Sequence, residues 1–202
     1  MIKKIFFVFA LALSLQLISG CVDCNCGPIK DIYWTVFGIS AKNIDVALPQ
    51  PTTTDVNVIA SANYAIQIEI KKRQLVLRKR QINWGLIQTA QACDCAYNFM
   101  DKEDVLSLEI FSTNDFDASH PKNTDLSLYF KVKKDQTLMS IADYIKSYNN
   151  LPSSSSPGAF SFSNGFRLQV APSTNKKHKF MIRITLSDGR ILETETTEVE
   201  LT

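Results

Sequence analysis

Hydrophobic side chains recur at every second position along most of the chain. The clearest runs are Tyr64 to Ile70, Leu126 to Val132 and Phe180 to Leu186, where apolar and polar residues alternate. Such alternation is typical of β-strands with one face in a core and the other in solvent. Shorter runs of the same character lie at 32–39, 44–48, 56–60, 75–77, 82–89, 105–111 and 160–170. The pattern therefore predicts about ten strands.

Turn signals separate several of these runs. Asp188-Gly189 lies between two alternating runs and predicts a two-residue hairpin, and Asn164-Gly165 is a second, weaker signal of this kind. The last run, 191–201, contains four glutamates, namely Glu193, Glu195, Glu198 and Glu200. Charges of this kind suit an edge strand that must not pair with other chains.

One segment, Thr137 to Tyr148, has helical spacing instead. Its apolar residues recur three or four positions apart, at Leu138, Ile141, Ala142, Ile145 and Tyr148. Asp135 or Thr137 could cap its start. Many strands with one short helix near residues 137–148 predict a predominantly all-β fold, an Ig-like or related antiparallel β-sandwich.

The first 20 residues have the composition of an export signal. Lys3 and Lys4 precede an apolar stretch that is shorter than the roughly 20 residues needed to cross a bilayer. Its end, Ile18-Ser19-Gly20-Cys21, resembles the lipobox of bacterial lipoproteins. The resemblance implies cleavage before Cys21 and covalent attachment of diacylglycerol and an acyl chain to that cysteine, with no other cofactor. The alternative is an ordinary signal peptide followed by a chance cysteine.

These features predict how the chain is divided and where in the cell the protein is located. We expect a signal at 1–20, a lipid-anchored, cysteine-containing segment at 21–30, and a single β-sandwich domain at 31–202. Val22 occupies the position where aspartate retains enteric lipoproteins at the inner membrane, which favours the outer membrane, on its periplasmic or cell-surface face. Without Lys3 and Lys4, 20 basic residues balance 20 acidic ones, so nothing in the charge favours nucleic acid as a partner.

Four cysteines remain after Cys21, arranged as two Cys-x-Cys pairs: Cys24, Cys26, Cys93 and Cys95. In an exported protein an even number of cysteines usually forms disulfides. A bridge within either pair would close a very short ring, so we expect two bridges between the pairs, with the connectivity open. A four-thiolate zinc site is the competing interpretation, although zinc motifs favour a wider spacing.

The most unusual local feature is a run of cations without an acid, predicted to lie in a hairpin. Its members are Lys71, Lys72, Arg73, Arg78, Lys79 and Arg80. They could be solvated strand ends that face the acidic final strand. They could instead bind an anion such as an acidic glycan, a phosphate group or an acidic partner. Lipid headgroups are a weaker option, because an extended 82–95 would place the run about 40 Å from the cysteines near the membrane.

No catalytic or metal motif is present in the sequence, and we expect the protein not to be an enzyme. The two histidines, His120 and His178, are predicted to be solvated loop residues. Asp115, Asp117 and Asp125 could bring carboxylates together, but their spacing does not fit a calcium loop, and roles in turns and caps explain them better. Tyr33, Trp34 and Trp84 allow carbohydrate stacking, although aromatic residues in strands belong mostly to cores.

Several segments also resemble known proteins. The chain is similar here to small lipoproteins of Bacteroidetes. The segments that carry the resemblance are 92–96, 103–105, 107–112, 114–117, His120-Pro121, the acidic-capped helix and the ending with Lys179-Phe180 and an Asp-Gly hairpin. Those proteins belong to uncharacterised domain families. The resemblance covers most of the chain after the signal and implies an address and a fold class, but no activity.

Together these observations predict a non-catalytic outer-envelope lipoprotein that binds, adheres or takes part in assembly. Its partners would be the membrane, through the lipid anchor, and an unknown protein or glycan. The alternative is a glycan-binding accessory lipoprotein of a polysaccharide-uptake system, which needs an exposed aromatic platform. A hydrolase ranks third and needs converging carboxylates.

Overall fold

The structure is a computed structural model that describes residues 28–47, 57–75, 97–134, 137–150 and 161–202. The chain divides into two compact units, one of residues 1–32 and 76–98 and one of residues 33–75 and 99–202. Of the first unit only 28–32 and 97–98 are described, and the fold below is that of the second unit together with these few residues. The predicted domain boundaries stay a prediction.

The described residues form twelve strands, one α-helix and two short 3-10 turns. The strands are β1 (Lys30–Asp45), β2 (Val58–Ile59), β3 (Tyr64–Leu75), β4 (Tyr97–Asp101), β5 (Val105–Ser112), β6 (Phe130–Lys134), β7 (Thr137–Ser140), β8 (Ser161–Leu168), β9 (Lys177–His178), β10 (Phe180–Leu186), β11 (Ile191–Glu195) and β12 (Val199–Leu201). The helix α1 spans Ile141–Asn149, and the 3-10 turns span Ser61–Asn63 and Ser127–Tyr129. The predicted all-β class with one short helix is confirmed.

Three sheets arise from these strands. A six-stranded sheet has the order β4-β1-β3-β8-β6-β7, and two three-stranded sheets have the orders β11-β10-β5 and β2-β12-β9. β3 pairs antiparallel with β1 and β8, and β10 pairs antiparallel with β5 and β11. β11 ends its sheet, as its glutamates predict, whereas β12 lies between β2 and β9.

The alternating runs on β3 and β10 supply opposite walls of one core. On β10 every second residue from Phe180 to Leu186 is buried. The rings of Tyr64 and Phe180 stack with their centroids 5.4 Å apart, and Phe130 meets Phe180 edge-on at 5.7 Å. Aromatic contacts of this geometry add to the free energy gained by burying apolar area. The six-stranded sheet and the β11-β10-β5 sheet therefore pack face to face, as in a sandwich.

Two predicted element boundaries are wrong. The alternation from Leu126 to Val132 does not form one strand, because a 3-10 turn covers its first half and leaves Leu128 90% exposed. The helix begins at Ile141 and not at Thr137, because Thr137–Ser140 pairs with β6 as a strand. Its cap is Ser140, whose Oγ accepts a hydrogen bond from the Asp143 N–H at 3.1 Å.

The two glycine signals have different outcomes. Asp188-Gly189 does turn the chain between β10 and β11, but the loop has three residues. The Leu186 N–H donates to the Arg190 carbonyl at 2.9 Å, and Gly189 adopts a φ of +84°. This is the three-residue hairpin with glycine in the left-handed region.

Asn164-Gly165 does not form the hairpin that the sequence predicts. Both residues lie within β8, where the register with β3 shifts between Ile66 and Ile68. Gly165 has a φ of +68°, so it serves as a bulge in the strand. A Cβ at this position would lie 2.6 Å from Ile44 Cδ1 and 3.0 Å from Ala65 Cβ.

Side chains cover the outer edge of β5. Asn149 bonds both the N–H and the carbonyl of Val105, and Asp125 and Ser127 accept from the Ile110 N–H. The Leu126 N–H donates to the Ile110 carbonyl at 2.7 Å. These bonds occupy backbone groups that an unprotected edge would offer to another strand.

We predict that Gly165→Ala destabilises the protein by about 2 kcal/mol or more, because it combines a left-handed backbone with overpacking. Urea unfolding curves measure the change in the free energy of unfolding. Gly38→Ala is the matched control: a Cβ there meets nothing within 4 Å, so we expect little change. Equal losses in the two variants would contradict the packing at the β8 bulge.

Candidate binding surface

Phe37 is an extra residue in the pairing of β1 with β3. The register shifts between Val36 and Gly38, so Phe37 has no partner on β3. Val36 and Ile39 both pack against the core, which places Phe37 and Gly38, between them, on the opposite face of the sheet. Phe37 is 52% exposed. The bulge therefore presents an aromatic ring to solvent.

Other residues of β1 and β3 share this outer face. Tyr33 lies opposite Leu75, and the two side chains are 39% and 38% exposed. Arg73 lies opposite Thr35, and Lys71 opposite Gly38. We call the exposed set the basic–aromatic strip, and it consists of Tyr33, Phe37, Lys71, Arg73 and Leu75. At about 3.3 Å per residue the strip is roughly 13 Å long, and it is two strands wide.

The cations of the predicted basic hairpin do not all lie together. Lys71 and Arg73 are exposed on the strip and make no ion pair with the residues that the structure describes. Lys72 lies on the other face, where its side chain is 5% exposed and its Nζ is 2.6 Å from Asp101 Oδ2. Its ammonium also lies 5.6 Å from the centre of the Tyr148 ring. Lys72 is thus engaged within the fold.

Some predicted site residues lie outside the described residues: Cys21, Cys24, Cys26, Arg78, Lys79, Trp84, Arg80, Cys93 and Cys95. The bridges and the remaining cations therefore stay predictions. Trp34 is described. It alternates with Tyr33 and so lies on the core-facing side, half-buried, with its indole Nε1 buried and unbonded among the described residues. It does not contribute to the exposed strip.

A buried glutamate holds the bulge in place. One oxygen of Glu103 accepts from Thr35 Oγ1 at 2.6 Å, and the other accepts from the Val36 N–H at 3.0 Å. Arg190, from the β10–β11 hairpin, lies 3.0 Å from the carboxylate and donates to the Val36 carbonyl at 2.6 Å. The Glu103 side chain is only 2% exposed, so its charge must be compensated within the fold. Sequence analysis missed this residue because nothing local distinguishes it from a solvated glutamate.

The prediction of a solvated His178 is wrong. His178 is fully buried, its Nε2 lies 2.8 Å from the Asn175 carbonyl oxygen, and its Nδ1 lies 2.8 Å from Ser112 Oγ. Because a carbonyl can only accept, Nε2 carries the proton and Nδ1 accepts from the serine hydroxyl. Burial lowers the pKa of His178, although the bond to Asn175 opposes this shift. The ring therefore works as a neutral link between β5, β9 and the loop before β9.

His120 lies in a loop, as predicted, but it has polar and aromatic partners. Its Nδ1 is 2.9 Å from Asp117 Oδ1, and its ring lies against Tyr129 with centroids 4.6 Å apart. Tyr129 donates to Asp117 Oδ2 at 3.0 Å. The hydrogen bond from His120 is the main reason that the pKa of Asp117 is lowered. The three side chains tie the loop 113–125 together.

The three candidate carboxylates are turn residues. Asp117 accepts from the N–H groups of Ser119 and His120, Asp115 accepts from the Lys122 N–H, and Asp125 accepts from the Ser127 N–H. Each bond closes a short loop, as the sequence predicts. The described ranges contain no group of three or more acidic, histidine or cysteine side chains that could hold a metal ion. No described helix is both long and apolar enough to cross a bilayer.

Comparison with known proteins identifies one family. A family model with the description "Domain of unknown function (DUF5034)" matches residues 37–197. Searches of curated proteins and of solved structures found no significant match. The matched range contains most of the strip, Glu103, Arg190 and both histidines.

We predict that acidification from pH 7.5 to 5.5 lowers the free energy of unfolding by about 1 kcal/mol through His178. The pKa of His178 is lower in the folded protein than in the unfolded chain. Its contribution to the free energy of unfolding is therefore complete at pH values above the pKa of the unfolded chain. It is lost as the pH falls toward the pKa of the folded protein. Urea unfolding at the two pH values measures this loss.

The variant His178→Gln should flatten that pH dependence, since glutamine can donate to Asn175 and accept from Ser112 without titrating. His120→Gln removes the other histidine and serves as the control, which should keep most of the dependence. An unchanged pH dependence in His178→Gln would show that another group is responsible.

Proposed function

This chain belongs to the DUF5034 family, and we propose that it is a non-catalytic lipoprotein of the outer envelope that binds an anionic partner through the basic–aromatic strip. The observation that carries the proposal is the strip itself. Two cations without acidic partners among the described residues alternate with exposed aromatic and aliphatic side chains on one sheet face. Protein surfaces seldom expose apolar side chains in clusters unless they contact something.

The strip is positively charged in its own right. The next acid along the same face of β3 is Glu69, and its carboxylate accepts a hydrogen bond from Ser40 Oγ at 3.3 Å. A ligand that contacts Lys71 and Arg73 lies at short range from both charges, where salt screens the attraction least. An arginine beside a lysine supplies planar, paired donors as well as charge, which suits phosphate or carboxylate groups.

A binding role also agrees with the way the polar side chains are used. Glu103, Asp117 and His178 are all bonded to backbone or side-chain groups that fix loops and a bulge. Groups arranged in this way stabilise a rigid scaffold for a surface. A glycan-binding accessory protein is the second candidate, and the exposed ring of Tyr33 favours it, because aromatic faces stack on sugar rings.

The lipid anchor is tested by mass spectrometry of the mature N-terminus. We expect the chain to begin at Cys21 and to carry a diacylglycerol group and an amide-linked acyl chain. Cys21→Ser should abolish both the lipid and the processing. A free thiol at Cys21, or a first residue at any other position, would refute the anchor.

Binding is tested by salt elution of the purified, detergent-solubilised protein from immobilised dextran sulfate. The double variant Lys71→Gln/Arg73→Gln should elute at clearly lower salt than the unmodified protein, since each lost cation reduces the number of counterions released. Lys122→Gln/Lys176→Gln removes the same charge from exposed positions away from β1 and β3 and is the matched control. Equal shifts in the two double variants would mean that only net charge matters and that the strip is not a site.

A further inference from the structure

We propose that the ligand of the basic–aromatic strip is the membrane surface itself, with anionic headgroups meeting Lys71 and Arg73 and with Tyr33, Phe37 and Leu75 entering the interface. The proposal rests on the lipid-anchored binding function given above. It makes the strip a second membrane contact beside the lipid on Cys21, and the sheet would then lie against the bilayer.

The apolar members of the strip favour a lipid interface over a glycan. Phe37 and Leu75 have no hydrogen-bonding group, yet they are 52% and 38% exposed. A sugar ring needs polar partners around its hydroxyl groups, whereas the boundary between headgroups and acyl chains accepts aliphatic and aromatic side chains alike. Tyr33 has the amphipathic ring that is enriched at this boundary.

Charge points to the same partner. On β3, Lys71 lies opposite Gly38, next to Phe37, and Arg73 lies opposite Thr35, between the two residues that present the rings. Long cationic side chains can reach headgroup phosphates while neighbouring apolar groups lie deeper, and anionic lipids attract them. The cations of the strip therefore suit the headgroup layer of a bilayer, and its rings suit the boundary between the headgroups and the acyl chains.

The length of chain to the anchor allows this contact. Tyr33 is twelve positions after Cys21, so the two are at most about 43 Å apart. Arg73 is far from Cys21 in sequence, but it pairs with Thr35, which follows Cys21 by only 14 positions. The expectation that the basic run is remote from the membrane rests on 82–95, which lies outside the described residues.

The test is a lysine footprint of the complete lipidated protein. The protein is labelled with an amine-reactive ester in detergent, in vesicles of phosphatidylcholine, and in vesicles that also contain phosphatidylglycerol, and labelling is measured by peptide mass spectrometry. We expect Lys71 to be labelled about fivefold more slowly in the anionic vesicles, the factor expected for one cation held against an anionic surface. High salt should relieve this protection. Lys122 and Lys176, which are exposed elsewhere, should react equally in all three settings.

Two variants separate the strip from general adsorption. Phe37→Ser removes an exposed ring and should reduce the protection of Lys71 in anionic vesicles. Leu128→Ser removes an apolar side chain that is 90% exposed and lies off the strip, and it should leave the protection unchanged. Because both side chains are on the surface, neither change threatens folding, and unfolding curves of both variants check this.

The outcomes distinguish this proposal from the binding function on which it rests. Equal labelling of Lys71 in detergent and in anionic vesicles would overturn the membrane contact. If soluble dextran sulfate protects Lys71 and vesicles do not, the strip binds an anionic polymer, so the binding function stands and the membrane contact fails. If neither protects it, both fail. If mass spectrometry of the same sample finds no lipid on Cys21, the anchor fails independently of the footprint.

Discussion

The buried carboxylate of Glu103 is the contact on which the arrangement of β1 depends. Each oxygen meets a donor from Thr35 or Val36, and Arg190 balances the charge while it bonds the Val36 carbonyl. Removing Arg190 would leave the Glu103 carboxylate, which is 2% exposed, without its cation. The same contact joins β1 to the β10–β11 hairpin. The β1 bulge, and with it the outward ring of Phe37, is therefore held by an interaction with the two residues that precede it.

A second set of polar contacts closes the loops around the core. His178 joins Ser112 to Asn175, and Asp117 joins His120 to Tyr129. Both clusters contact the aromatic core, because the centroid of the Phe116 ring lies 5.3 Å from that of His178 and 5.6 Å from that of Tyr129. Loops that are tied in this way can be irregular without being loose.

The sequence predicts the parts of the fold that local periodicity controls. Alternation identifies β3 and β10, and the Asp-Gly signal identifies the turn before β11. Periodicity misplaces elements where a tertiary contact overrides the local preference. Thr137–Ser140 has helical spacing but forms a strand because it pairs with β6. The run of basic residues in the candidate site is visible in the sequence. The sequence does not show that Lys72 lies on the opposite face of the sheet from Lys71 and Arg73. Phe37 joins the strip through a bulge, and no local signal reveals that extra residue.

The covering of β5 has a consequence for how copies of this protein can meet. An open strand at the edge of a sheet can recruit the strand of a neighbouring copy into a growing sheet. Asn149, Asp125 and Ser127 fill the bonding positions of β5 with side chains of the same molecule. At the other end of that sheet, Glu193 and Glu195 of β11 form ion pairs with Arg183 and Lys179 of the same molecule. The side chains over β5 thus oppose the addition of a strand from another copy at that edge.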